Sequence, residues 1–173
     1  MLLSSKIFNE PVSLLSNMDI DIEELSKFLV KAKMNTYAGD TKAMILTDGS
    51  KELVFSEGRL FYRDRYFGEN PFIGEEIVFH EDKYVWGMNY YGHAISSTDF
   101  SLRDLYAFLR EALRRVNEKK PFRGPEKYDE NIFRYINNVE GDVSQFNGSE
   151  KIFYKEIEVY RLLYHGGFIS DET

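Results

Sequence analysis

Residues 53–66 read LVFSEGRLFYRDRY, and the reading of this stretch decides the fold class. Leu53 to Ser56 and Arg59 to Tyr66 alternate with period two and are rich in aromatic residues, as strands with one buried face are. Between them Glu57-Gly58 predicts a two-residue turn, Gly58 supplying the positive φ that such a turn requires. Strands joined by two residues are antiparallel. The same pattern recurs on either side. Glu76 to His80 and Lys83 to Tyr91 meet near Glu81-Asp82, and Lys151 to Tyr154 and Ile157 to Tyr164 meet near Lys155-Glu156. Ile132 to Val139 reads as a further strand ending at Gly141-Asp142, and Asn147-Gly148 reads as another tight turn.

Two segments carry the helical period instead. Between Asp19 and Met34 the apolar residues Ile22, Leu25, Phe28, Leu29 and Ala32 recur at spacings of three and four, with acids first and lysines last, as the helix dipole favours. From Leu102 to about Val116, Leu105, Phe108, Leu109 and Ala112 share a face, with Ser101 as N-cap and Asp104 as the reciprocal acid. The expected fold is therefore α+β: a twisted antiparallel meander of six or seven strands with two helices packed on one face. With four prolines and no Ser/Gly-rich stretch, residues 1–173 read as a single domain, 1–18 as an N-terminal extension and 19–169 as the core.

Composition narrows the function. At 173 residues the chain can bury about 70% of its unfolded surface around one core. Twenty-two Lys and Arg against 29 Asp and Glu give a net charge of −7, which disfavours direct nucleic-acid binding. There is no cysteine, so disulfides, thiolate metal sites and cysteine nucleophiles drop out together. The longest apolar run is Leu105 to Leu109, far short of the roughly 20 residues of a membrane span, and no signal peptide is recognisable. A cytoplasmic protein with no membrane partner is expected. His80, His93 and His165 form no metal signature, and neither a phosphate loop, a dinucleotide fingerprint nor a nucleophile elbow is present. Neither metal nor cofactor is expected.

Candidate site residues follow from the hairpin registers. If Glu57-Gly58 is the loop, Leu60, Tyr62, Asp64 and Tyr66 project together, placing Asp64 among apolar rings. If Glu81-Asp82 is the loop and the ladder is regular, Glu75 lies opposite Met88, beside Trp86 and Tyr90; a slip of one residue would exchange it for Glu76. A carboxylate among aromatic rings either takes up a proton, as general acid/base chemistry uses, or pairs with a cation. A neighbour such as Arg63 or Arg65 could equally close a salt bridge to it. Arg123, held between Pro121 and Pro125, presents a guanidinium suited to an anionic group, or one that bonds a structural acid. The segment from Arg110 to Arg123 carries a local charge of +4, as a solvated helix end does. His165 precedes Gly166-Gly167, where backbone can be approached closely. Asn89, Tyr90 and Tyr91, and likewise Tyr37 to Asp40, could line a cleft.

Six strings, taken in order, carry a family resemblance: Ala32 to Gly39 (AKMNTYAG), Tyr62 to Gly68 (YRDRYFG), Phe72 to Glu76 (FIGEE), Trp86 to Gly92 (WGMNYYG), Pro121 to Pro125 (PFRGP) and Tyr164 to Gly167 (YHGG). Together they resemble an uncharacterised prokaryotic domain-of-unknown-function family, found alone or behind an N-terminal helix-turn-helix in transcriptional regulators. The resemblance spans roughly Leu25 to Ile169 and implies a sensing or effector module. About 20 residues precede the first helix here, too few for a helix-turn-helix domain, so a regulatory role would need a partner. The leading expectation is a module binding a small polar molecule on an aromatic sheet face, with Tyr62 and Trp86 as walls and Asp64, Glu75, Asn89, Tyr90, Arg123 and His165 as polar contacts. The alternatives are a metal-independent acid/base enzyme, a hydrolase or isomerase, using Glu75 or Asp64 with His165, and a structural module whose aromatic surface serves a homodimer.

Overall fold

A computed structural model of the chain describes residues 20–39, 41–95 and 100–171; the expected extension 1–18 and Asp40 lie outside them. Helix α1 (Ile22–Asn35) is N-capped by Asp21, whose side chain accepts from the Glu23 amide. Helix α2 (Leu102–Leu113) is N-capped by Ser101, whose hydroxyl accepts from the Asp104 amide at 3.1 Å and donates to the Asp104 carboxylate at 2.7 Å. The strands are β1 (Met44–Ile45), β2 (Lys51–Glu57), β3 (Leu60–Gly68), β4 (Phe72–His80), β5 (Lys83–Ala94), β6 (Lys127–Glu130), β7 (Phe133–Asp142), β8 (Gln145–Tyr154) and β9 (Ile157–Phe168). They form one antiparallel sheet in the order β1-β2-β3-β4-β5-β9-β8-β7-β6.

Two features of the expected fold are thereby corrected. The described residues hold nine strands rather than six or seven, because β1, only Met-Ile, is too short to alternate and β6, KYDE, is both too short and too polar. The sheet is also not one meander. Two four-strand meanders, β2 to β5 and β6 to β9, join along their last strands, β5 against β9.

The two meanders are copies of one unit. Each follows a helix with the pattern L-x-x-F-L-x-x-A: Leu25, Phe28, Leu29 and Ala32 in α1, and Leu105, Phe108, Leu109 and Ala112 in α2, all eight buried. Phe28 packs on Phe55 of β2 with ring centroids 5.8 Å apart, and Phe108 packs on Tyr128 of β6 at 5.4 Å. The last hairpin of each unit turns through two residues of positive φ, Glu81-Asp82 and Lys155-Glu156, as such a turn demands. Each carries a β-bulge just before that turn, at Val78/Phe79 and at Ile152/Phe153. Tyr90 pairs with Tyr164, its own counterpart, so a pseudo-twofold axis passes between them. Both helices contribute to one buried cluster with Tyr62, Val78, Trp86, Met88, Tyr135, Ile152 and Leu162, which places them on the same face of the sheet.

The observed registers revise several expectations. The first hairpin pairs Phe55 with Tyr62 and Leu53 with Asp64, so its loop is Gly58-Arg59. This differs by two positions from the expected pairing, which leaves every side chain on its expected face. In the second hairpin the bulge shifts the ladder by one, pairing Glu76 with Met88 and Glu75 with Asn89. Glu76 rather than Glu75 therefore points into the core. Asn147-Gly148 is not a turn; both residues lie inside β8, and the chain reverses at Val143-Ser144 instead. Gly148 is needed there because a Cβ would come within 2.7 Å of Tyr164 Cε2, in the volume the ring occupies.

Candidate functional site

On the helix side lies a cleft of about 670 Å³, bounded by α2, by strands β2 to β5 and by Tyr37, Gly39 and residues 41–43 after α1. Asp64, Tyr90 and Arg123 reach it from within, while Tyr37, Tyr66, Phe72 and Tyr106 supply aromatic wall and Lys42, Lys51, Glu69 and Arg110 a charged rim. Arg114 Nε donates to the Ala38 carbonyl at 2.7 Å, tying the end of α2 to the segment that closes the cleft.

Beneath the cleft is a buried ionic cluster. Lys33, on the α1 stripe four residues after Leu29, is fully buried and paired with Glu76, itself fully buried. Its Nζ lies 5.4 Å from the Tyr37 ring centroid and 5.9 Å from those of Tyr62 and Trp86. Burial pushes the Lys33 ammonium below its ordinary range, against the opposing pull of Glu76. Arg123 Nη2 lies 2.9 Å from Glu150 Oε2, and the guanidinium sits 5.1 Å from the Tyr37 ring centroid. Tyr135 donates to Glu150 Oε1 at 2.5 Å. The Tyr37 and Tyr62 hydroxyls and Glu76 Oε1 are buried with no hydrogen-bond partner among the described residues.

Asp64 is the third acid of this cluster. It is 3% exposed and accepts from the Tyr90 hydroxyl at 2.6 Å, but pairs with no cation among the described residues. Desolvation first, and then the neighbouring Glu76 carboxylate, push its carboxyl up to about 7, while Tyr90, Lys33 and Arg123 pull the other way. The folded protein thus holds this proton to near neutrality, whereas an unfolded chain releases it near pH 4. Stability from Asp64 is therefore complete below about pH 4 and falls as pH rises through about 7. Chemical denaturation of the wild type and Asp64→Asn across pH 4 to 8 checks this: the wild type should lose stability over that window relative to a flatter Asn variant.

The expected site residues fall into two groups on opposite faces. Asp64, Tyr90 and Arg123 converge on the cleft; Tyr62 and Trp86 lie deeper and do not line it. Trp86 is a core residue, its indole donating to the Val143 carbonyl at 2.9 Å and stacking on Phe146. Glu75, Asn89 and His165 sit in one cross-strand row on the other face, in a depression of about 890 Å³. Glu75 is paired there with Arg63 at 3.1 Å. The expected partnership of Asp64 with His165 does not form, because the sheet stands between them. Lys33, Glu76 and Glu150 were not among the expected site residues. A lysine on an apolar helix stripe was the available signal, since it requires an interior acid.

Fold and cleft together define an α+β protein whose antiparallel sheet, two copies of a helix and four strands with β1 added at one edge, carries an acid-floored cleft beneath its helices. By sequence the chain belongs to the DUF5680 family, a domain of unknown function, matched over residues 64–169. The matched span contains Asp64, Glu76, Tyr90, Arg123 and Glu150, while Lys33, Tyr37 and Tyr62 precede it. No curated protein and no solved structure matches the chain. Among the described residues no helix is long and apolar enough to cross a membrane.

Proposed function

We propose that this protein is a small-molecule-binding module whose site is the cleft above Asp64, Tyr90 and Arg123. One observation carries the reading: an almost fully buried carboxyl without an ion-pair partner among the described residues forms part of the wall of an aromatic cavity of about 670 Å³. Buried charge costs stability unless something pairs with it, and keeping it against an open cavity is the arrangement of a recognition site. With the family resemblance and the net charge of −7, the module reads as the sensing or effector part of a prokaryotic cytoplasmic regulator, with any DNA contact supplied by a partner.

The rival readings draw on the other face. An acid/base enzyme would use Glu75 with His165, which share the depression on that face where Arg63 already holds Glu75; Asp64 with His165 would need to act through the sheet. A homodimer would use the exposed cross-strand row Phe67, Ile73, Tyr91 and Leu163. The binding reading is tested by native against denaturing mass spectrometry of freshly purified wild type and Ala43→Trp, which fills the cleft mouth. The wild type should carry one non-covalent adduct that is lost on denaturation, and the variant should carry none. Identical spectra at the bare chain mass would overturn the reading.

A further inference from the structure

The repeat supplies an internal control for the cleft. Asn137 of β7 is the counterpart of Asp64, as Tyr164 is of Tyr90 and Tyr135 of Tyr62. Asn137 is 3% exposed, as Asp64 is, and its Oδ1 accepts from the Tyr164 hydroxyl at 2.8 Å just as Asp64 accepts from Tyr90. The two positions then diverge. Asn137 Nδ2 donates to the Gly124 carbonyl at 3.0 Å, and the Gly124 amide donates to the Tyr135 hydroxyl at 3.0 Å, so the chain's own 121–125 loop seals the second unit. In the first unit no described loop takes that place, and the position opens into the cleft. Where the sealed unit has an amide donor meeting a carbonyl, the open unit has a carboxylate, which when ionised can only accept.

Charge counting gives the sign of what is missing. The cluster holds three buried acids, Asp64, Glu76 and Glu150, and two buried cations, Lys33 and Arg123. Each cation is already matched, Lys33 to Glu76 and Arg123 to Glu150. Asp64 is left over, and it faces the cavity. Tyr37, Tyr66, Phe72 and Tyr106 line the same cavity, and aromatic rings suit a cation as well as an apolar body. Within the molecule, Lys33 and Arg123 already lie against rings of this cluster.

We infer that the cleft takes an organic cation, a primary amine or amidinium-type group, seated on Asp64 as the third cation of the cluster, with its hydrocarbon or aromatic body between the rings. This deepens the cleft-binding reading and rests on it. The rim charges Lys42 and Arg110 leave room for an anionic group at the far end of the same molecule.

Titration calorimetry at pH 8 with phenethylamine and agmatine, against the isosteres 2-phenylethanol and 3-phenylpropionate, tests the inference. The amines should bind at least 10-fold more tightly than the neutral and acidic isosteres. Asp64→Asn should erase that preference, and it should fold, since the second unit carries Asn at the same place with the same tyrosine partner. Amine binding should also weaken below pH 7, with proton release on binding. The groups facing Asp64 in this window are Glu76, Tyr90, Lys33 and Arg123. Binding of the neutral or acidic isostere as tight as that of the amines, in wild type as in Asp64→Asn and blocked by Ala43→Trp, would overturn the cation while keeping the cleft as a binding site. No heat from any probe would overturn the cation too, and the mass-spectrometric comparison then decides the cleft separately.

Discussion

Lys33→Met should lower the unfolding free energy by about 3–5 kcal/mol, a fall of roughly 10 °C in Tm for a chain of this size. Methionine matches the lysine stem in volume, so packing against Tyr37, Tyr62 and Trp86 changes little. What changes is Glu76, which loses the only ion-pair partner the described residues give it, in a position with no access to water. It would also face Asp64 directly across the β3–β4 ladder without an intervening cation. Adding Glu76→Gln should recover most of the loss, because a neutral pair removes the uncompensated charge that causes it. Denaturant unfolding of the two single variants and the double variant measures the coupling, expected at 2 kcal/mol or more by order of magnitude. Additive losses would show that the pair is not linked as described.

Gly148→Ala should cost about 3 kcal/mol by overpacking, with Gly74→Ala close behind. An added methyl at 148 falls on the Tyr164 ring, and one at 74 lies 2.5 Å from Tyr90 Cζ and 2.7 Å from Tyr66 Cβ. Neither ring can swing aside freely. Each crosses its glycine to hydrogen-bond the next strand but one, Tyr164 to Asn137 and Tyr90 to Asp64. The two substitutions should differ in a useful way. Displacing Tyr164 disturbs a sealed unit and reads out only as stability, whereas displacing Tyr90 also frees Asp64 and should alter whatever the cleft binds. Thermal unfolding of both variants, with Tyr164→Leu combined with Gly148→Ala, checks the steric cause: the double variant should lose less than the sum of its parts. A neutral Gly148→Ala would contradict the register of β8 against β9.

How far the site was legible depends on which physical rule acts at each residue. Alternation alone puts Asp64 on the buried face, and the two-position difference between the expected and observed hairpin register leaves it there because side-chain direction repeats every second residue. Glu75 and Glu76 show the opposite case. The bulge at Val78/Phe79 inserts one residue without glycine or any other local mark, and a shift of one exchanges the faces. Asn147-Gly148 has the composition of a hairpin turn, yet its glycine serves the Tyr164 ring, a long-range demand no local rule contains. β6 is KYDE, too short and polar to announce a strand, and is held by pairing with β7. The repeated L-x-x-F-L-x-x-A of the helices was visible in the letters and would have led to the paired units. From these, the contrast of Asp64 with Asn137 follows by alignment of one half on the other. What alignment could not supply is that the 121–125 loop caps only the second unit, since that depends on where a loop comes to rest.

Cation recognition at the cleft requires Asp64 to be a buried acid with no cation partner among the described residues, and its own titration tests this most directly. Carbon-detected NMR of the side-chain carboxyl, assigned by the resonance lost in Asp64→Asn, should show a midpoint near 7 in the free protein. A midpoint in the ordinary carboxylate range, near 4, would mean that Asp64 is solvated or already paired, and would contradict a cation seat in the cleft.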